Sequence, residues 1–482
     1  MRIGPFALAV AVVSASACGS TKPAPPPDKR DAGPPDAQVV DVAPRRLGMS
    51  DLASYAWRKR GGHPAFRTAR AAEAREDWQT VVTTCQQALA ADPGHLEAAW
   101  LLAAGLGKLG KLDSVLPPLQ LAAAGDFGKW GLASLELPEL QPFLATPLGQ
   151  AWQRRVEQDR TLYVAALARS AIVMSEGDLY AYDATEPRWY RLTRTFGTVI
   201  GAIRVAPTKI AYVARQRSRD KKGTTLAIGL VDLARGKSSR PVPLDTRGPI
   251  TIAYSQKLLP GVWIGSGAAR ATSWRRFDDD FKLTVLPPKT TRPGGPRLEV
   301  KGKTVRLIAL PVAGIAADWD DKGLASAARI VKSNRIVTVP SPGLIDGNTV
   351  TWSPDRSRLA FVAQLDDTCA PGAVNAAAFV ADATTGAVHE LERAADGLAV
   401  DWVSDDKLLV AGDKGVMLVD LGGKPTVALS GADGLVPSRH HPSCTPPEPD
   451  EPDAPDVLPS DELDVPESTT GEPVDAGVGS GH

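Results

Sequence analysis

TVTWSPDRSRLAFVA, residues 349–363, decides how the rest of the chain reads. An apolar run ends at Trp352, Ser353-Pro354-Asp355-Arg356-Ser357 turns the chain, and Leu359-Ala360-Phe361-Val362 runs back. Aromatic and β-branched runs on either side of a Pro-Asp turn predict a β-hairpin.

Working outward, the phrase recurs. Val205-Ala206-Pro207 precedes Ile210-Ala211-Tyr212-Val213, and Trp402-Val403-Ser404-Asp405 precedes Leu408-Leu409-Val410. A second phrase is an apolar run closed by Asp and a short turn, at Asp183, Asp232, Asp382 and Asp420. Asp suits that turn because its carboxylate can accept the backbone N–H two residues on. Hairpin, loop and Asp-turn hairpin together make four strands. Asp183 to Asp232 spans 49 residues and Asp382 to Asp420 spans 38; the 150 between Asp232 and Asp382 leave room for two more units. Segments 250–286 and 298–339 are strand-rich enough to supply them. Six units of about 45 residues predict a β-propeller over residues 161–444, with five or seven blades as the alternatives. The Trp-Ser-Pro-Asp hairpin resembles the WD-like repeats of TolB-type propellers.

A propeller brings the loop between second and third strands and the exit of the fourth strand to one face. Cys369 in such a loop of the fifth blade and Cys444 after the sixth are therefore expected to pair in an oxidising compartment. The basic loop holding Arg215, Arg217, Arg219, Lys221 and Lys222 is expected on that face too, with Arg270, Arg275 and Arg276 near it. It reads either as a solvated hairpin tip or as an anion-binding face for which an acidic tail competes.

Upstream, residues 49–160 follow a helical period. An offset of 34 residues superimposes Ala69 on Ala103, Trp78 on Leu112, Val81 on Val115, Cys85 on Leu119 and Ala88 on Ala122. The period, the small residue in the first helix and Pro93 after the second resemble the tetratricopeptide repeat. Cys85 reads as a buried small hydrophobe.

The N-terminus carries Arg2, an apolar stretch and Ser14-Ala15-Ser16-Ala17 before Cys18, the pattern of a secretory signal over 1–17. Ser16-Ala17-Cys18 resembles the lipobox of bacterial lipoproteins, with Ala15 standing where Leu is usual. That resemblance implies lipidation of Cys18 and, with Gly19 following, the outer membrane. Ordinary secretion after Ala17 is the alternative. Residues 18–48 are rich in Pro, Asp and Ala and read as a tether. Residues 445–482 hold 11 acids and no Lys or Arg, leaving 55 bases against 44 acids elsewhere, a net of +11. That acidic, Pro-rich tail is expected to stay disordered.

Little points to catalysis. Residues 105–110 spell G-x-G-x-x-G, but inside a helix rather than after a strand. Gly236-Lys237-Ser238 lacks the leading Gly of a phosphate loop. Asp278-Asp279-Asp280, Asp318-Trp319-Asp320-Asp321 and the His440, His441, Cys444 group read as solvated turns sooner than metal sites. The expectation is a multi-domain α + β protein, a short helical repeat followed by an all-β propeller. It would be lipid-anchored in the cell envelope and act as a non-catalytic module for envelope protein partners. No cofactor, metal or nucleic acid is expected. The alternative is an envelope hydrolase with its site in the propeller channel.

Overall fold

The computed structural model describes residues 40–435 apart from 207, 218–223, 245–249, 256–260, 267–272, 279–280, 288–296, 302–303, 309–313, 320–323, 333–334, 348, 366–374, 395–397, 413–414, 430 and 433. From Val42 the described chain forms one compact unit. It is mixed α + β, with helices first and antiparallel sheets after.

The main helices are α1 (His63–Glu73), α2 (Trp78–Ala91), α3 (Leu96–Lys108), α4 (Leu116–Gly125) and, after four short helical turns, α5 (Pro147–Arg169). The 34-residue offset carries α1 onto α3 and α2 onto α4. It also carries burial: Ala69 and Ala103, Val81 and Val115, Cys85 and Leu119, and Ala88 and Ala122 are all fully buried. Burial raises the Cys85 thiol to about 12, the behaviour of an inert core thiol. Gly105 and Gly107 of the G-x-G-x-x-G stretch lie in α3, with no strand before them. A Cβ on Gly107 would stand 2.3 Å from the Glu139 carbonyl oxygen, so close helix packing explains that glycine. The helical part ends later than its period predicts. Val156, Tyr163, Ala166 and Leu167 keep one face of α5 buried as far as Arg169.

His95 caps α3. Its Nδ1 accepts from Ala98 N at 3.1 Å, which leaves the proton on Nε2. The ring is fully buried between Trp57 and Phe66, near His63, Asp92 and Glu97. Burial lowers its pKa below 6.5. The unfolded chain therefore takes up this proton first as pH falls, so stability is complete above about 6.5 and declines below it. His95→Asn keeps a capping oxygen and removes the titration. Urea midpoints measured from pH 7.5 to 5 should fall less for this variant than for the parent chain.

Five sheets follow, every neighbouring pair antiparallel. The first orders Gly434–Leu435, Ala171–Ser175, Asp178–Asp183 and Arg188–Arg191. The second holds Val199–Ala206, Lys209–Arg217, Thr224–Asp232 and Lys237–Ser238, with Val242–Leu244 also on its third strand. The third contains Ile250–Ser255, Gly261–Ser266, Ser273–Phe277 and Leu283–Val285, and adds the hairpin Arg297–Lys301 with Thr304–Ile308 beside Ile250–Ser255. The fourth runs Ile315–Ala316, Leu324–Lys332, Arg335–Asp346, Arg358–Gln364, Ala376–Asp382 and Val388–Ala394, with Thr351–Trp352 pairing off Arg358–Gln364. The fifth is Ala399–Trp402, Lys407–Gly412, Gly415–Asp420 and Pro425–Leu429. Among the described residues the strands form five sheets, not six. Strands within 298–339, expected to form a unit of their own, join the third and fourth sheets instead.

Both sequence phrases have their physical cause in view. Each of the four Asp carboxylates accepts the N–H two residues on: Asp183 from Thr185, Asp232 from Ala234, Asp382 from Thr384 and Asp420 from Gly422. The turn joins the third and fourth strands of the first, second and fifth sheets, and at Asp382 the last two strands of the fourth. The 349–363 hairpin pairs Thr351 with Ala360 and Trp352 with Leu359. Its turn also stitches sheets together. Asp405 Oδ1 accepts from Asp355 N at 2.9 Å, and Trp402 Nε1 donates to Thr351 O at 3.1 Å.

The sheets pack face on face. Ile172, Leu179 and Ala181 of the first share a core with Ile210, Tyr212 and Val231 of the second. Ile203 and Ile228 of the second meet Ile252 and Ile264 of the third. Val362 and Ala378 of the fourth meet Leu408 and Val410 of the fifth. Leu409 and Leu418 of the fifth meet Val173 and Tyr180 of the first. Sheets buried on both faces account for near-continuous apolar strands such as Asp178–Asp183.

Candidate functional site

The residues that build the main cavity begin where a tether was expected. Val42 and Leu47 are buried in the core, and Gly48 N donates to Ala124 O at 2.8 Å. Gly48 has φ +74°, and a Cβ there would meet the Trp189 carbonyl oxygen at 2.7 Å, so this crossing requires glycine. Residues 51–60 then form a strap of two single turns, the first capped by Asp51, whose Oδ1 accepts from Ala53 N.

Tyr55 anchors the strap. Its buried hydroxyl lies 2.8 Å from the carbonyl oxygens of both Gly125 and Trp189, one at the end of α4 and one in the first sheet. Burial pushes its pKa well above the usual phenol value. Beneath it, Arg194 pairs with Asp126 through two nitrogens, Nε to Oδ2 at 3.1 Å. Beside that, buried Asp178 accepts from Arg191 Nη2, Thr193 Oγ1, Thr195 N and Thr195 Oγ1.

Between strap and first sheet lies a cavity of about 610 Å³. That is the size of a small-ligand or short-peptide site. Its mouth is made by Trp57, Arg58 and Lys59 on one side and by Glu176 and Phe196 on the other. Arg58 lies over the Trp57 ring (5.3 Å to its centroid) and the Phe196 ring (4.2 Å). Two tight turns hold the far side. Glu176, Gly177, Phe196 and Gly197 all have positive φ, from 44° to 81°. A Cβ on Gly177 would meet the Gly197 backbone at 2.6 Å. Phe196 is 65% exposed at φ 60°. A bulky side chain both exposed and left-handed is disfavoured unless its surroundings hold it. Lys59 pairs with Glu176, Arg60 with Asp92 and Arg191 with Asp178, whereas no carboxylate pairs with Arg58 among the described residues.

Among the described residues, none of those singled out from sequence lines this cavity. Cys18, Cys369, Cys444, Arg219, Lys221, Lys222, Arg270, His440, His441 and residues 445–482 are outside the described residues, so the lipidation, the disulfide and most of the basic loop are untouched by the structure. Arg215 N donates to Thr198 O at 2.8 Å, and Val199 N donates to Gly177 O at 2.9 Å. The basic loop thus leaves the same end of the sheets as the cavity. Arg217 ends its strand there, while Arg275 and Arg276 lie in the third sheet. The strand Gly434–Leu435 runs antiparallel to Ala171–Ser175, Leu435 opposite Val173, and so leads away from that end. The chain was expected to exit on the side of the basic loop, and its last described strand points the other way.

Gly236 packs its turn on Tyr163 of α5, consistent with a hairpin and not a phosphate cradle. Asp278 Oδ1 accepts from Lys282 N as a turn residue, and Asp318 is fully exposed. Among the described residues no three His, Cys, Asp or Glu gather as a metal would require, and no helix is long and apolar enough to cross a membrane. Sequence reading missed the strap and its cavity. The signal available was the aromatic and basic run Tyr55-Ala56-Trp57-Arg58-Lys59-Arg60 directly after the tether.

No protein-family model matches the chain, and no curated protein matches it. Among solved structures it is similar to a GH74 enzyme of Niastella koreensis, at 12% identity and TM-score 0.25, covering 52% of this chain and 42% of that one. A eukaryotic initiation factor matches at 8% identity and TM-score 0.24, over 56% of this chain and 87% of that one. The extracellular domain of the putative one component system BT4673 of B. thetaiotaomicron matches at 13% identity and TM-score 0.22, over 55% and 35%. The chain spans less than half the length of the first and third. Likeness at this level carries no weight for fold or activity.

Proposed function

We propose that this chain is an exported, lipid-anchored envelope protein whose tetratricopeptide-like helices and β-propeller serve as a non-catalytic binding module. The propeller reading draws support from the order of sheet packing, which passes from first to second to third, from fourth to fifth, and from fifth back to first. The binding reading is carried by the cavity under the strap, an aromatic mouth holding Arg58, which no carboxylate among the described residues pairs with. Its partner is a protein of the envelope. Anchoring rests on Ser16-Ala17-Cys18. The expected result is that the mature protein enters the detergent phase and that Cys18→Ser moves it to the aqueous phase; equal partitioning of the two sinks the anchor. Capture of envelope proteins by the parent chain, lost with Arg58→Gln, tests the cavity.

A second reading, an envelope hydrolase, draws on one observation. Asp401, on the first strand of the fifth sheet, lies within electrostatic reach of Arg204 on the first strand of the second sheet, and burial raises its carboxyl above the usual range. Such a shift is a mark that functional carboxylates share. A hydrolysis assay on the purified protein, with a chelator control, separates the two.

A further inference from the structure

The strap leaves the cavity on a cluster of two histidines and an aspartate. Trp57 packs its ring on His63 and Phe66 of α1 and on His95 at the start of α3, with centroids 5.1, 5.2 and 5.1 Å away. Three residues on, Arg60 Nη2 lies 2.6 Å from Asp92 Oδ1, at the end of α2. Trp57 and Arg60 both line the cavity. The chain then enters α1 tightly against the same groups: a Cβ on Gly62 would stand 3.0 Å from Asp92 Cβ and 3.1 Å from His95 Cδ2. The other half of the strap is held differently, by Tyr55 on two backbone carbonyls. Ala56 ends the first turn and starts the second at φ −85° and ψ 40°, and so forms the joint between the halves.

This arrangement suits neutral rings. His95 Nδ1 accepts from Ala98 N, and an imidazolium has no acceptor to offer. Burial is the largest cause at both His95 and His63, and it lowers the pKa of each below 6.5. The charged groups around them do not cancel it. Asp92 and Glu97 attract a charged His95, but Asp92 already pairs with Arg60 and Glu97 with Lys129. His63 repels it, and Arg67 and Arg58 repel a charged His63. A His95 imidazolium that turned toward Asp92 Oδ2, buried with no hydrogen-bond partner among the described residues, would compete with Arg60 for that carboxylate. One that stayed in place would give up the α3 cap and press a charge on the Trp57 contact.

We infer that His63 and His95 form a proton-operated latch, which keeps the Trp57–Arg60 side of the cavity docked on the helices near neutral pH and lets it go as the medium acidifies. Once undocked, the rings meet water and take up protons from about pH 6.5 downward, before the docked rings do, so docking is complete above that pH and is lost below it. Tyr55 stays a neutral phenol throughout, so release stops at Ala56 and the first turn of the strap keeps its anchor.

Amide hydrogen exchange on the full-length chain, measured from pH 7.5 to 5 and divided by the intrinsic rate at each pH, reads the latch. Lys59 N donates to Ala56 O and Arg60 N to Trp57 O. Protection of these two amides should fall roughly tenfold between pH 7 and 5, the linkage expected for one histidine freed to its ordinary pKa. Ala98 N, whose acceptor is His95 itself, should move with them. Ser54 N, which donates to Asp51 O in the turn beside Tyr55, and the interior of α2 should keep their protection. His95→Asn, with its capping oxygen, and His63→Gln should each flatten the fall, and the double variant should abolish it. Constant protection at Lys59 and Arg60 in the parent chain overturns the inference. So does a fall shared equally by Ser54 and α2, which would be global unfolding, or a double variant that keeps the parent's slope. The comparison of Lys59 and Arg60 with Ser54 in the parent chain needs no substitution, so the inference can fail even where altered rings pack badly.

Discussion

Arg194→Met should lower the stability of the chain by about 3–5 kcal/mol, the usual cost of stranding one member of a buried ion pair. Asp126, whose side chain is 6% exposed, would lose its two-nitrogen partner. The pair joins the residue after α4 to the exit of the first sheet, 68 positions apart. It also lies among Tyr55 and Tyr163. Urea unfolding followed by tryptophan fluorescence measures the loss. The double variant Arg194→Met/Asp126→Leu should recover most of it, because removing both charges removes the desolvation cost along with the attraction. A loss under about 1 kcal/mol for the single variant would put this pair in the surface class. The consequence reaches function, since Tyr55 and the strap stand on the same junction.

The second large effect is at the closing strand. Leu435 is fully buried among first- and fifth-sheet side chains, and its strand stands at one end of the strand order of the first sheet. Leu435→Ala should cost about 2–5 kcal/mol, transfer plus cavity. Leu435→Asp should cost more, because a charge would enter a site with no partner. Amide exchange of Ala171–Ser175 should rise in both, ahead of the helices, since that strand pairs directly with Gly434–Leu435. If Leu435→Ala leaves both stability and exchange unchanged, the two-residue strand does not hold the seam between the fifth sheet and the first.

What could be read from sequence was local. The Asp turns followed from a carboxylate and an N–H two residues apart, and all four formed. The hairpin of 349–363 followed from a Pro-Asp turn between apolar runs. The 34-residue offset followed from helix periodicity, and burial at Ala69, Ala103, Cys85 and Leu119 obeys it. In each the interacting groups are close in sequence, so spacing alone carries the physics.

Tertiary structure decided the rest. Residues 42–60 have no period, and their burial depends on α4 and the first sheet arriving at the same place. Strands at 297–346 alternate like any others, yet which neighbour they join is set by the edges left open beside them. Gly434–Leu435 is too short to show any pattern, and its partner lies more than 250 residues back. The cavity is a product of these long-range meetings: the strap carries its aromatic and basic side chains, but only the turns at Glu176–Gly177 and Phe196–Gly197 give them something to face. Backbone pairing and ion pairs across such separations depend on where the whole chain goes, and no window of neighbouring residues contains that information.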